Sequence, residues 1–122
     1  MSRLDIDTVH GFLKRSHWAA ERTRETLVMS IETSLCFGAY IRGRQVAFAR
    51  VVTDRCTFGY LCDVFVDEEF RGRGISKKLM SDVMKHPDLK SFRRLMLATK
   101  DAHGLYRKFG FADIEPGRFM EI

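Results

Sequence analysis

A glycine-punctuated run of seven residues, RGRGISK at positions 71–77, carries the strongest chemical signal in the sequence. Gly72 and Gly74 have no Cβ, so the backbone there can adopt unusual dihedral angles and allow a ligand to approach closely. A helix that begins after Gly74 offers unpaired N–H groups and the positive end of its dipole. Two arginines and a lysine in the same run add full positive charges. The run therefore predicts an anion site, and a pyrophosphate group is a suitable guest.

The elements on either side must position this run. Residues 60–66 read as a buried strand, and Ile75, Leu79 and Val83 fall four residues apart, which is the spacing of one helix face. Other nucleotide-binding motifs share this order of strand, turn and helix. A Walker A loop is excluded, because the two glycines are two residues apart and no Gly-Lys pair follows. A dinucleotide fingerprint also fits poorly, because Lys77 stands where a third glycine is required.

Two blocks of the sequence resemble the GCN5-related N-acetyltransferase (GNAT) family. Arg71, Gly74 and Ser76 fall at the places of the family's pyrophosphate motif, Gln/Arg-x-x-Gly-x-Gly/Ala, and a strand that ends at Val66 precedes it. Ser76 is a departure, since Gly or Ala is usual there. The second block, LYRKFGF at positions 105–111, resembles the family's Leu-Tyr-x-Lys-x-Gly-Phe motif. Two motifs in the family's order are far more specific than one.

The resemblance implies a fold and an activity. The fold is α+β, with a central mixed, mostly antiparallel sheet that splays around a cofactor site and about four flanking helices. The activity is acetyl-CoA-dependent N-acetyl transfer to a primary amine of a small molecule or protein, by direct attack in a ternary complex. A splayed strand also exposes backbone groups that can pair with the pantetheine arm of coenzyme A. The cofactor-binding residues predicted in this way are Phe65, Val66, Arg71, Gly72, Arg73, Gly74, Ile75 and Ser76.

Four side chains are candidates for the chemistry and for the acceptor. An amine with a pKa near 10.4 is mostly protonated at pH 7, and deprotonating it costs about 4 to 5 kcal/mol. Asp63 interrupts an apolar run, so it needs either a partner such as a neighbouring arginine or a raised pKa. We predict that Asp63 receives the proton of the amine, directly or through water. The resemblance implies that Tyr106 protonates the departing thiolate. The loop that contains Trp18 and Arg22 is predicted to select the acceptor.

Composition bounds the remaining possibilities. With 122 residues, of which 45% are hydrophobic, the chain is expected to form one domain over residues 1–122. No apolar stretch of membrane-spanning length or signal core is present, which predicts a soluble, cytoplasmic protein without a membrane partner. Three cysteines without metal-type spacing predict reduced thiols and no metal site. The resemblance is compatible with a homodimer.

Two other function classes stay open beside the enzyme. A non-catalytic acyl-CoA-binding regulatory module would keep the glycine-rich run and lack a working acceptor site. An RNA-binding accessory protein would account for the net charge of +5. Because the basic residues are scattered among 16 acidic ones, we expect a generic basic surface and no nucleic-acid partner.

The rest of the chain is predicted from periodicity, caps and turns. Asp5 or Asp7 caps a first helix, and Thr23 caps a second. Strands are predicted at residues 35–41 and 46–53, and a strand at 95–98 must return parallel to the central one. A short helix at 102–109 precedes a hairpin of residues 111–114 and 118–121. The family's first strand could come only from residues 1–4, so it is short or absent.

Overall fold

The computed structural model describes residues 4–90 and 94–122. Within these ranges the chain forms four α-helices, four strands and two 3₁₀ helices. The helices are α1 (Ile6–Lys14), α2 (Arg24–Glu32), α3 (Ile75–Lys85) and α4 (His103–Arg107). The strands are β1 (Leu35–Ile41), β2 (Arg44–Thr53), β3 (Phe58–Val66) and β4 (Arg94–Leu97). The 3₁₀ helices are Glu68–Phe70 and Pro87–Leu89.

The strands form one mixed sheet in the order β1-β2-β3-β4. β1 with β2 and β2 with β3 are antiparallel, whereas β3 with β4 is parallel, as the helix between them predicts. The parallel pairing joins only Phe58 through Leu61 to Arg94 through Leu97. Beyond Leu61 the two strands separate, so the second half of β3 keeps β2 as its neighbour and has an open edge on the other side.

The helices cover both faces of this sheet. On one face, Leu79, Met80 and Val83 of α3 pack against Ala49 and Leu61 of the central strands. On the other face, apolar residues of α1 and α2 pack against Phe48 and Phe65. The predicted α+β fold with a splayed, mostly antiparallel sheet is therefore confirmed. None of the helices in the described residues is long and apolar enough to cross a bilayer.

The first two helices begin at the side-chain caps that the sequence predicts. Asp5 accepts a hydrogen bond from the backbone N–H of Thr8, and Thr23 accepts one from the backbone N–H of Thr26. α3 differs, because Gly74 occupies its N-cap position with φ 79° and no side chain caps the helix. The start of α3 therefore leaves N–H groups for another partner.

A β-bulge interrupts β3 at Asp63. Asp63 has φ 54°, and the register between β2 and β3 shifts between Phe48 and Arg50. An aspartate tolerates this left-handed conformation better than most residues other than glycine. The bulge turns the Asp63 side chain toward the loop between α1 and α2.

The predicted C-terminal hairpin is wrong. A turn does form, since the Arg118 amide donates to the Glu115 carbonyl at 3.2 Å, but residues 111–122 contain no strand. Met120 is fully exposed and Ile114 is 47% exposed, so the two flanks bury little of their apolar surface against the rest of the protein. An isolated two-stranded hairpin is marginal in water. At the other end, residues 1–3 of the possible first strand lie outside the described residues, and Leu4 is not in a strand.

Candidate active site

A groove of about 730 Å³ lies between the open edge of β3 and the start of α3. The loop after α1 and residues of α4 form its other walls. Of the eight residues predicted to bind the cofactor, seven line this groove: Phe65, Val66, Arg71, Gly72, Gly74, Ile75 and Ser76. Arg73 is the exception, because its guanidinium lies 5.1 Å over the Phe70 ring.

The glycines of the groove serve its backbone geometry. Gly72 and Gly74 have φ 80° and 79°, and a Cβ built on either residue meets no atom of the protein within 4 Å. Packing therefore does not require glycine there, whereas the left-handed backbone does. With the uncapped N–H groups of α3 beside them, these residues fit a pyrophosphate group, which could accept hydrogen bonds at the positive end of the helix dipole.

Arg71 ties the glycine-rich loop to the central strand. Its Nε donates a hydrogen bond to the Val66 carbonyl at 2.9 Å. Its guanidinium lies 5.0 Å from the centre of the Phe65 ring, within cation–π range. The arginine predicted to contact the cofactor therefore also holds the glycine-rich loop against the end of β3.

The open edge of β3 presents backbone groups to the groove. The Asp67 amide donates to the Val46 carbonyl at 2.8 Å, so these two residues form a hydrogen-bonded pair of the antiparallel ladder. Because such pairs alternate with non-hydrogen-bonded ones, the backbone polar groups of Val64 and Val66 face the open edge, and those of Phe65 face β2. The backbone contact predicted for Phe65 and Val66 thus falls on Val64 and Val66.

A second cavity of about 440 Å³ lies where β3 and β4 separate. It is lined by residues 60–64 of β3, by the last residue of β4 and the segment that follows it (residues 97–102), and by the loop after α1. The two cavities share one wall. The residues that line both are His17, Trp18, Val64, Asp101, Ala102 and Tyr106.

Tyr106 stands in this shared wall. The residue is 8% exposed, and its ring packs edge to face on Phe111 with centroids 5.9 Å apart. Burial raises the pKa of Tyr106, and the negative charge of Asp101 raises it further. The hydroxyl is therefore protonated at neutral pH, and none of the described residues forms a hydrogen bond with it. It is available as a hydrogen-bond donor at the junction of the two cavities.

Asp63 lies in the wall of the second cavity at the centre of a buried cluster. Its Oδ2 accepts hydrogen bonds from Arg22 Nη1 at 2.5 Å and Arg50 Nε at 2.9 Å. Its Oδ1 accepts one from Trp18 Nε1 at 3.0 Å. Burial alone would raise the pKa of Asp63, but the hydrogen bonds and charges of the two arginines outweigh it and lower the pKa. The carboxylate is charged at neutral pH.

This cluster resolves the alternatives that the sequence left for Asp63. The ion pair with a neighbouring arginine is present, and the raised pKa is wrong, because two cations face the carboxylate. Arg50 was missed. Its signal was available, since Arg50 interrupts an apolar run in β2 just as Asp63 does in β3. Two opposite charges in neighbouring buried strands are each other's obvious partners.

The predicted acceptor residues Trp18 and Arg22 meet at Asp63. Trp18 lines both cavities, so its ring is placed to touch a bound molecule. Arg22 lines neither of them, because its guanidinium is directed at Asp63. Arg22 therefore acts on the cavity through the position it gives to the carboxylate.

Comparison with known proteins agrees with this arrangement. The sequence profile of the Acetyltransferase (GNAT) family matches residues 5–111. A crystal structure of a GNAT-family protein from Xanthomonas campestris is 51% identical, covers 99% of this chain and 87% of that one, and superposes with a TM-score of 0.95. A Gibberella zeae protein whose name assigns it to the acetyltransferases is 28% identical over 86% of this chain and 71% of its own length.

A third relative shows the fold alone. It is a crystal structure from Clostridium acetobutylicum described with acetyl-CoA, at 16% identity and a TM-score of 0.73, covering 97% of this chain and 89% of that one. The profile match extends from the cap of α1 to the end of the LYRKFGF block, so it includes both cavities. The chain belongs to the GNAT acetyltransferase family.

Proposed function

We propose that the protein transfers the acetyl group of acetyl-CoA to a primary amine while both substrates are bound. One observation carries the proposal: a groove with an uncapped helix end and a second cavity meet at a shared wall that contains a protonated Tyr106. An acyl donor in the groove and an amine in the second cavity can then approach each other without a covalent enzyme intermediate. Holding two reactants in this way supplies much of the catalysis.

The groove residues hold the donor at its anionic and amide groups. Acetyl-CoA supplies an acetyl group already activated as a thioester. The N–H groups at the start of α3 receive the pyrophosphate, and Gly72 and Gly74 let it come close to the backbone. The open-edge groups of Val64 and Val66 pair with the pantetheine amides in the manner of an added strand, with the Val66 carbonyl shared with Arg71.

Tyr106 assists the departure of the thiolate. A coenzyme A thiol resembles a cysteine, with a pKa of about 8.5, whereas tyrosine has a pKa of about 10, so full proton transfer is uphill by roughly 2 kcal/mol. Burial raises the pKa of Tyr106 and makes transfer harder still. Tyr106 therefore donates a hydrogen bond that strengthens as negative charge grows on the sulfur.

The amine side depends on the Asp63 cluster. The lowered pKa makes Asp63 a weak base, and its two oxygens already accept hydrogen bonds from three donors. We therefore propose that Asp63 positions Trp18 beside the acceptor, while the proton of the acceptor's ammonium form leaves through water. Direct transfer to Asp63 stays a prediction, which the pH profile of Asp63→Asn tests: a positioning role predicts a loss that is the same at every pH above about 5.

Incubation of the purified protein with acetyl-CoA and a panel of primary amines tests the proposal. We expect the mass of at least one amine to rise by one acetyl group, with release of one equivalent of free thiol, and we expect Tyr106→Phe to slow both. Binding of acetyl-CoA without transfer to any amine of the panel would instead support a non-catalytic acyl-CoA-binding module.

A further inference from the structure

We infer that the acceptor is an amine carried on an apolar, preferably aromatic, body, and that Trp18 and Tyr60 recognise that body. This rests on the proposed function, because it names the acceptor class of the same second cavity. Both side chains line this cavity and both are exposed although they are large, at 43% for Trp18 and 37% for Tyr60. Exposed aromatic rings at the mouth of a cavity are the usual partners of apolar ligands.

Trp18 is exposed and yet held in one position. Its indole N–H is fixed by Asp63 at 3.0 Å, and its ring meets His17 edge to face at 5.0 Å between centroids. The Phe65 ring lies behind it at 6.4 Å. A side chain that is already immobilised loses little conformational entropy when a ligand packs on it. The hydrogen bond also consumes the one polar group of the indole, so the rest of the ring offers only apolar and π contacts.

Tyr60 lines the same cavity from a rigid element, the strand β3. It lies in the part of β3 that is paired on both sides, with Val52 in β2 and Met96 in β4 as its partners. Its backbone therefore cannot shift independently of the sheet. Six further residues of the cavity lining are apolar or weakly polar: Leu61, Cys62, Val64, Leu97, Ala98 and Ala102. The polar ones, apart from Tyr106, are His17, Asp63, Thr99, Lys100 and Asp101.

The charges around the cavity argue against a strongly polar acceptor. The carboxylate of Asp63 is paired with two guanidinium groups, so this cluster carries a net positive charge. Lys100 and Asp101 are adjacent charges of opposite sign on the exposed rim. A polyamine would bring further ammonium groups beside the cations of the Asp63 cluster, and a sugar would place several hydroxyl groups against Leu61, Val64 and Leu97, where each desolvated group costs binding energy. A single ammonium group is tolerated, because aromatic faces attract cations.

The test compares two amines that share an aminoethyl group, one of which carries a phenyl ring and the other a hydroxyl group. We measure kcat/KM for acetyl transfer to 2-phenylethylamine and to ethanolamine, and expect the first to be favoured by about tenfold or more. Tyr60→Ala should remove most of this preference and leave acetyl-CoA affinity unchanged. Tyr60→Phe keeps the ring and should keep the preference, which separates lost recognition from a damaged strand.

Phe58→Ala is the matched control. Phe58 lies two residues before Tyr60 on the same face of β3 and is 40% exposed, but it does not line the cavity. It should retain the preference for 2-phenylethylamine. Acetylation of both amines at equal rates, or equal loss of preference in Phe58→Ala and Tyr60→Ala, would overturn this inference and leave the proposed function standing. Failure to acetylate any amine would overturn both.

Discussion

The Asp63 cluster and the start of α3 differ in whether their polar groups have partners inside the protein. Around Asp63, both carboxylate oxygens, two guanidinium groups and the Trp18 indole N–H are joined by hydrogen bonds inside the protein. At the start of α3, Gly74 provides no side-chain cap, and the N–H groups face an open groove. In the first region the polar groups have their partners inside the protein, whereas in the second the N–H groups are left for a ligand.

The same contrast appears among the helices. Asp5 and Thr23 cap α1 and α2, and loss of such a cap costs about 1 kcal/mol. α3 is the longest helix in the described residues and has Gly74 at this position, where glycine gives up roughly a few tenths of a kcal/mol relative to a side-chain cap. A helix start without a side-chain cap, beside two left-handed glycines and facing an open groove, indicates a binding role.

Substitutions in the Asp63 cluster should lower the free energy of unfolding more than substitutions at the start of α3. Asp63→Ala leaves Arg22 and Arg50 without their shared carboxylate in a site where the Asp63 side chain is only 1% exposed. Removing one partner of a buried pair costs about 3 to 5 kcal/mol. We expect a loss of this size in the free energy of unfolding, measured by urea titration monitored through the single tryptophan.

An exposed ion pair serves as the control for that variant. Arg107 and Asp113 are joined at 3.1 Å, but both side chains are more than half exposed. Asp113→Ala should change the free energy of unfolding by at most about 1 kcal/mol. Similar losses in Asp63→Ala and Asp113→Ala would show that the Asp63 cluster is no more tightly held than a surface contact.

Tyr106→Phe should slow catalysis without disturbing either the Asp63 cluster or the start of α3. It removes a hydroxyl that has no hydrogen-bond partner among the described residues, so the fold should be nearly unaffected. We expect kcat to fall about 10- to 1,000-fold with little change in acetyl-CoA affinity, because the interaction forms mainly in the transition state. An acetyl thioester of a thiol with a much lower pKa should shrink this deficit, since its thiolate leaves with less help. A defect confined to KM would mean that Tyr106 only packs against Phe111.

The pH dependence of the free energy of unfolding tests the Asp63 cluster further, with a smaller expected effect. A carboxyl group whose pKa is lowered by folding contributes stability that is present above its unfolded pKa of about 3.9 and is lost as the pH falls through its folded pKa. The stability advantage of the native protein over Asp63→Asn should therefore be constant from pH 5 to 8 and narrow below pH 4. A difference that widens toward low pH would mean that folding raises the pKa of Asp63.

Much of this arrangement could be predicted because it depends on local signals. The caps Asp5 and Thr23, the strand bounds of β1 and the turn around Gly74 follow from residue type and spacing along the chain. The parallel return of β4 follows from the helix that precedes it. These features are fixed within a few residues of the signal, and the two family motifs then locate the groove.

The rest depends on contacts between distant residues. Arg50 and Asp63 are 13 positions apart, and Asp63 reaches Trp18 only because a bulge with φ 54° redirects its side chain. No local pattern signals that bulge in an apolar strand. The hairpin predicted at residues 111–121 failed for a related reason, since a good turn sequence cannot make strands pair where the flanks bury little of their apolar surface against the rest of the protein.

The most direct test of the account is whether acetyl-CoA stabilises the protein through the start of α3. A ligand at a hundredfold excess over its Kd adds about 2.7 kcal/mol to the stability. Gly74→Val should remove about half of this gain or more, as expected from a loss of affinity of tenfold or more. Gly43→Val is the matched control, because Gly43 has φ 81° and equally free space but lies in the turn between β1 and β2. Both variants should have a lower starting Tm, and only Gly43→Val should keep the native increase with acetyl-CoA. A native Tm that acetyl-CoA leaves unchanged, or an equal increase in both variants, would contradict the account.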